Sequence, residues 1–136
     1  MPKPKSTNQS IPEIRELIKT IANKYNVPYN IADSVVYAES GYNPRARSKV
    51  GALGLMQLMP GTAKELRVVD PFDPEQNLEG GIKYLAQMYK AFKVWPLALA
   101  AYNAGPGRVQ RAGNKIPNIK ETLDYVNKIM NRAESM

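Results

Sequence analysis

The residues best suited to chemistry begin at Glu39. It closes an apolar segment that includes Ile31, Val35, Val36 and Ala38, and it precedes Ser40-Gly41-Tyr42-Asn43-Pro44 and the glycine-punctuated run Gly51-Ala52-Leu53-Gly54-Leu55-Met56-Gln57-Leu58-Met59-Pro60. A carboxyl beside such side chains is partly desolvated, which disfavours its charged form and raises its pKa toward the range of a general acid that protonates a leaving oxygen. General acid catalysis supplies a factor of about 10² to 10⁴, so substrate positioning must supply the rest. An acid on a solvated helix end would look the same locally. A negative charge in a last helical turn opposes the helix dipole, however, and needs some other reason to be there.

Composition narrows the chemistry further. The chain has no His and no Cys, which excludes Ser-His-Asp and Cys-His nucleophiles, thiol redox centres and the usual nitrogen and sulfur zinc sites. Proton transfer falls to Asp, Glu, Lys or Tyr. No metal and no cofactor is expected. Nineteen Lys and Arg against twelve Asp and Glu give a formal charge of +7, which favours a polyanionic partner or is simply a solvated basic surface. No run of like charge is dense enough for a nucleic-acid arm, so nucleic acid is not the expected partner.

Two further segments have carbohydrate character. Small residues at Gly51 to Gly54 let backbone amides approach a sugar ring, Gln57 offers an amide and Met59 an adaptable apolar contact; the same residues also serve turns and cores. Tyr102-Asn103 precede Gly105-Pro106-Gly107. An aromatic ring and an amide at a cleft rim suit a sugar's C–H face and its hydroxyls, although a helix stop with a buried Tyr has the same sequence.

These groups must be held by helices. Ser10-Ile11-Pro12-Glu13 has the form of a capping box, and the spacing of Ile11, Ile14, Ile18, Ile21 and Tyr25 predicts a helix from Ile11 to Tyr25. A second helix, capped by Asn30 and stopped by Gly41 and Pro44, places Glu39 in its last turn. Residues 48–54 read as a loop that admits a small β-hairpin, followed by a short helix from Pro60 to about Arg67. After the turn-rich Asp70 to Pro74 stretch, Leu78, Ile82, Leu85, Met88 and Phe92 trace a helix from Leu78 to Lys93. Another runs from Trp95 and breaks at Gly105, and a short one spans about Arg108 to Ala112. The last carries Ile119, Leu123, Val126, Ile129 and Met130, with Glu121 and Tyr125 four residues apart on a neighbouring face. The chain is therefore read as a single, mainly α domain over residues 11–136 behind a polar tail, 1–10. A chain of this length buries roughly two thirds of its unfolded surface without staples.

Five blocks together resemble the soluble lytic transglycosylase (SLT) catalytic domain: Glu39-Ser40-x-Tyr42-x-Pro44-x-Ala46-x-Ser48; Gly51-Ala52-x-Gly54-Leu55-Met56-Gln57-Leu58-Met59-Pro60-x-Thr62-Ala63; Asn77-Leu78-x-x-Gly81-x-x-Tyr84-Leu85; Ala101-Tyr102-Asn103-Ala104-Gly105-Pro106; and Pro117-x-x-x-Glu121-Thr122-x-x-Tyr125-Val126. The resemblance implies a goose-type lysozyme-like helical fold that cleaves the β-1,4 bond between N-acetylmuramic acid and N-acetylglucosamine in peptidoglycan. It makes Glu39 the single catalytic acid and then base, closing a 1,6-anhydro ring without water. Ser48, Gln57, Met59, Tyr102 and Glu121 would line the glycan cleft, with Asn103 and Tyr125 beside them. Tyr42 stands where many relatives have Phe, a change that preserves an aromatic ring and leaves the resemblance intact.

A lysozyme-like muramidase and a noncatalytic peptidoglycan-binding module are the alternatives. The implied partner is the peptidoglycan glycan strand, met by a monomer at the cell envelope, in periplasm or outer wall. Met1 to Ser10 lack the apolar run of a secretory signal, and no segment reaches the ~20 apolar residues of a membrane span. The chain is accordingly expected to be a piece of a longer protein, or to be delivered by a phage or a wall-penetrating assembly.

Overall fold

The computed structural model describes residues 9–136 and is mainly helical. The expected polar tail lies outside the described residues except for its last two. Seven helices follow in order: α1 (Ile11–Lys24), α2 (Tyr29–Ser40), α3 (Pro60–Glu65), α4 (Pro74–Phe92), α5 (Trp95–Ala104), α6 (Pro106–Arg111) and α7 (Lys120–Glu134). The Ser10–Glu13 capping box forms in full, with the Ser10 side chain accepting from the Glu13 amide and the Glu13 carboxyl accepting from the Ser10 amide.

Several boundaries differ from the sequence expectation: α3 ends at Glu65, α6 runs from Pro106 to Arg111, and two further shifts have a clear local reason. Helix α2 starts at Tyr29 after Pro28, so Asn30 lies inside its first turn and is not its cap; the Asn30 amide donates instead to the Ala133 carbonyl at 3.0 Å. Helix α4 starts four residues earlier than Leu78. Asp73 caps it by accepting from the Gln76 amide, and Pro74 occupies its first turn, where a missing N–H costs nothing. Residues 47–58 form no regular hairpin. They make two isolated antiparallel bridges, Arg47 with Leu53 and Leu53 with Leu58.

Helix α5 is the centre of the fold. Ala98, Leu99, Ala100 and Ala101 are all fully buried, as expected for a short helix apolar on every side, and α5 packs against α4, α6 and α7. Helix α2 lies against α1 and α7. Ile14, Ile18, Val35, Val36, Ile82, Leu85 and Ile129 complete one continuous core around it.

The loop after α2 is tied down by polar groups. Asn77, fully buried on α4, donates to the carbonyls of Leu53 at 3.0 Å and Pro71 at 2.8 Å and accepts from the Met56 amide at 2.8 Å. Gly54 sits against it with φ +80°; a Cβ there would lie 2.2 Å from the Pro71 carbonyl oxygen and 2.3 Å from the Asn77 amide nitrogen. Only glycine satisfies both the backbone angle and the space. On α4, a Cβ at Gly81 would meet the Met56 sulfur at 2.4 Å, so the helix backbone packs directly on the Met56 side chain.

A second polar knot joins α1, α2 and α7. Asp33 is completely buried yet keeps a full set of partners: Arg15 at 3.2 Å, Arg132 at 3.0 Å, the Tyr29 hydroxyl at 3.1 Å and the Tyr42 hydroxyl at 2.7 Å. Tyr42 in turn accepts from the other Arg132 nitrogen at 2.8 Å. Burial, followed by Asp33, pushes the Tyr42 hydroxyl up to about 12, so it remains a neutral donor. The Tyr42 hydroxyl thus bridges the buried carboxylate and its arginine.

Candidate active site

Glu39 lies in the last turn of α2, which Gly41 ends in the left-handed conformation at φ +58°. Its carboxyl is mostly enclosed, and burial pushes it up to about 7; the charge of Glu121 pushes the same way, while the Tyr125 hydroxyl opposes both. Tyr125, from α7, donates to Glu39 Oε2 at 3.0 Å. Burial, and then the nearby Glu39 carboxylate, holds the Tyr125 hydroxyl well above its ordinary range. It can donate to Glu39 and does not compete with it as a base.

The geometry around this pair depends on two anchors between α2 and α7. Asp33 and Arg132 join the helices at one end, and Glu39 and Tyr125 join them at the other. The acids on α2 are six positions apart and their partners on α7 seven, about 9 and 10.5 Å of helix. The two helices thus meet in fixed register at the carboxyl.

A cleft of about 370 Å³ opens over Glu39 and is lined by Ser48, Val50, Ala52, Gln57, Met59, Tyr102, Asn103, Glu121 and Tyr125. All eight residues singled out from the sequence share this one cleft: Glu39, Ser48, Gln57, Met59, Tyr102, Asn103, Glu121 and Tyr125. A second hollow of about 220 Å³, bounded by Leu58, Thr62, Tyr84, Ala104 and Gly105, shares the Gln57, Met59, Tyr102 and Asn103 wall, so the groove continues past the acid. A larger hollow of about 600 Å³ beside α1, with Glu16, Lys19 and Asn23 on its walls, contains no comparable pairing of a buried acid with an oriented donor.

Each lining side chain has its protein bonds fixed, which leaves a defined remainder for a ligand. Ser48 accepts from the Ala52 amide at 2.9 Å and retains its hydroxyl proton. Gln57 donates its amide to the carbonyls of Gly54 and Ala46, at 2.9 and 3.2 Å, and retains its carbonyl oxygen. Asn103 accepts from the buried Thr122 hydroxyl at 2.9 Å and retains two N–H donors. Tyr102 donates to the Met56 carbonyl at 2.7 Å and leans on the Tyr84 ring, with centroids 5.6 Å apart. Its role in the cleft is therefore the ring face more than the hydroxyl. Met59 is 44% exposed at the mouth. Glu121 is exposed at the start of α7 and is the only acid besides Glu39 on the cleft wall.

Two lining residues were not anticipated. Ala52 is buried and contributes a smooth wall, while Val50 is 76% exposed at the tip of the Ser48–Ala52 turn. A β-branched apolar residue next to glycine in a polar turn was the available signal for Val50.

A cleft with one buried acid, one oriented phenol, an aromatic face and short amide and hydroxyl donors suits proton transfer to a polyhydroxylated chain. Comparison with known proteins agrees. The transglycosylase SLT domain model matches residues 16–124. The membrane-bound lytic murein transglycosylase F of Desulfosudis oleivorans is 38% identical over 109 residues, covering 75% of this chain and 24% of the relative. The transglycosylase of enterobacteria phage PRD1 is 37% identical over 115 residues, covering 85% and 41%. Among solved structures, lytic transglycosylase Slt of Pseudomonas aeruginosa, crystallised as an inactive Glu→Gln mutant, superposes with a TM-score of 0.80 at 32% identity over 88% of this chain and 23% of that one. The chain thus spans less than half of the curated relatives it matches, and its mainly helical, lysozyme-like single domain shares the fold of the matched part of the Slt structure. With the family model covering most of its length and these relatives sharing its fold, the chain belongs to the transglycosylase SLT domain family.

Proposed function

We propose that this domain is a peptidoglycan lytic transglycosylase acting at the cell envelope, with Glu39 as its sole proton carrier. The observation that carries this reading is the Glu39 carboxyl, mostly enclosed, raised to about 7 and hydrogen-bonded by Tyr125 in a cleft whose only other acid among the described residues is the exposed Glu121. Ordinary glycosidases use two carboxylates flanking the scissile bond. One buried acid favours a route in which the substrate supplies the missing group.

The protonated Glu39 gives its proton to the glycosidic oxygen as the C1–O4 bond breaks, and the neighbouring 2-acetamido oxygen closes on C1 in its place. The resulting carboxylate then takes the proton of the muramyl C6 hydroxyl. O6 displaces the acetamido oxygen from C1 and closes a 1,6-anhydro ring, which returns Glu39 to its acid form with no water consumed. A carboxyl poised near 7 performs both transfers with little loss, since the best acid and base lies close to ambient pH. Tyr125 stabilises the carboxylate stage. Tyr102, Gln57, Ser48, Asn103 and Met59 confine the sugars, and confinement beside a preorganised acid supplies much of the rate. Glu121 positions substrate at the entrance.

Mass analysis of muropeptides from purified peptidoglycan tests this directly. Products one water lighter than hydrolysis products, and abolished in Glu39→Gln, are expected. Reducing-end sugars would reassign the domain as a muramidase on the same scaffold, and no release at all would leave a binding module.

A further inference from the structure

The corner between α4 and α5 lies at the opposite end of α5 from Tyr102 and Asn103. Two residues, Lys93 and Val94, join the helices. Val94 is 49% exposed, and Trp95, Pro96 and Leu97, which open α5, are all only partly buried. Tyr89, in the last turn of α4, is itself exposed and stacks on the Trp95 indole, with centroids 4.2 Å apart and planes 15° off parallel. Apolar residues scattered singly over a surface are ordinary, whereas a contiguous patch with a polar rim marks an interaction site.

The rim of this patch is cationic. Lys90 and Lys93 are exposed beside it, residues 80–120 contain no Asp or Glu, and among the described residues neither lysine forms an ion pair. Lys93 ends α4 in the left-handed conformation at φ +73°, its amide donating to the Tyr89 carbonyl at 2.7 Å. Glycine is the usual residue at such a helix end, since a Cβ is strained there. A cation is thus kept at the tip of the corner against the backbone preference. None of Tyr89, Lys90, Lys93, Val94 or Trp95 lines either hollow of the groove. Trp95 stands about 10 Å along α5 from Tyr102, so the corner can be occupied while the groove stays open.

We infer that this corner docks on the surface of an anionic lipid bilayer. Val94 and the exposed parts of the Tyr89–Trp95 pair enter the headgroup boundary, and Lys90 and Lys93 meet the lipid phosphates. A water-borne polyphosphate would satisfy the lysines and leave the apolar corner in water, and a neutral apolar partner would strand the lysines. The bilayer interface accepts both halves of the patch, and Trp and Tyr are the side chains that settle at headgroup level. No helix among the described residues is long and apolar enough to cross a membrane, so the contact is with the surface. This inference goes beyond the glycan reading and does not depend on it.

Trp95 is the one tryptophan of the chain, so its emission reports this corner alone. The full chain is mixed with vesicles made from equal parts of phosphatidylglycerol and phosphatidylcholine, or from phosphatidylcholine alone. On the anionic vesicles only, Trp95 emission should shift to the blue and be quenched by lipids brominated on the acyl chain. Lys90→Gln with Lys93→Asn keeps a helix former inside α4 and a residue tolerant of the left-handed conformation at its end. The pair should weaken binding about 25-fold at low salt, roughly fivefold for each lysine near an anionic leaflet. Val94→Ser should weaken it about fivefold, since each buried CH₂ contributes roughly fourfold. Val94 is the N-cap of α5, where Ser is a preferred residue, so misfolding does not explain that loss. The lysine effect should vanish near 1 M salt, where the Debye length is about 3 Å, and the Val94 effect should persist. Equal binding to neutral vesicles, no binding to the anionic ones, or Trp95 left unquenched in the bound state overturns the proposal. So does equally tight binding of a lipid-free poly(glycerol phosphate) that depends on the lysines and ignores Val94→Ser, which would make the corner a polyanion site. Failure of the unmodified protein to cleave soluble strands would refute the proposed activity and leave the vesicle result to stand or fall alone.

Discussion

The Glu39→Gln substitution should make the protein more stable as well as inactive, and the gain should depend on pH. The Glu39 carboxyl is raised from an ordinary 4.5 to about 7 by burial. The folded protein therefore holds this proton more tightly than the unfolded chain. The stability contributed by the neutral form is complete below about pH 4.5 and is lost as pH rises through about 7. At about 1.4 kcal/mol per pH unit, ionising this buried acid costs on the order of 3 kcal/mol by pH 8. Glutamine retains an oxygen to accept from Tyr125 but cannot ionise. At pH 8 the variant should thus melt on the order of 10 °C above the parent, taking a few degrees per kcal/mol for a domain of this size. At pH 4.5 the two should melt together. Calorimetry across pH 4.5 to 8.5 gives the comparison directly. A melting difference that stays flat over this range would show that Glu39 is not held above its ordinary range, and the acid role built on that would fail with it.

Three further outcomes follow from other contacts. Tyr125→Phe removes the donor that favours the Glu39 carboxylate, whereas Glu121→Gln removes a charge that disfavours it; the alkaline limb of kcat/KM on peptidoglycan should move up in the first and down in the second, with movement in one direction for both refuting the assignment. Asn77→Ala strips the Met56 amide and the Pro71 carbonyl of their partner, while the Leu53 carbonyl keeps the Leu58 amide, so denaturant unfolding should show a loss of about 2–4 kcal/mol. Tyr42→Phe should cost about 1–2 kcal/mol despite keeping the ring, because Asp33 and Arg132 lose the hydroxyl they share; an unchanged unfolding midpoint would show the bridge to be dispensable.

The primary structure determined most of the local elements. Periodic apolar residues specified α1, α4 and α7, the Ser10–Glu13 box and Gly41 marked helix ends, and a glycine-punctuated loop after a helix-terminal Glu marked the cleft. Such signals are legible because their cause is local: backbone propensity, capping and the 3.6-residue period act within a few positions. Long-range partners are not written that way. Nothing near Asn30 announces that its amide belongs to Ala133, and nothing near Tyr42 announces a hydroxyl shared between Asp33 and Arg132, ninety residues farther on. Position 42 therefore reads as an aromatic position in the sequence, and only the fold shows the two partners of its hydroxyl.

Glu39 shows the same division. Its residue type, helix-terminal place and apolar neighbours were visible in the chain. Its donor, by contrast, comes from Tyr125, 86 residues away on another helix, and the Asp33–Arg132 knot fixes the register that brings it to 3.0 Å. Desolvation is a property of enclosure and register a property of packing, and only the tertiary structure supplies either.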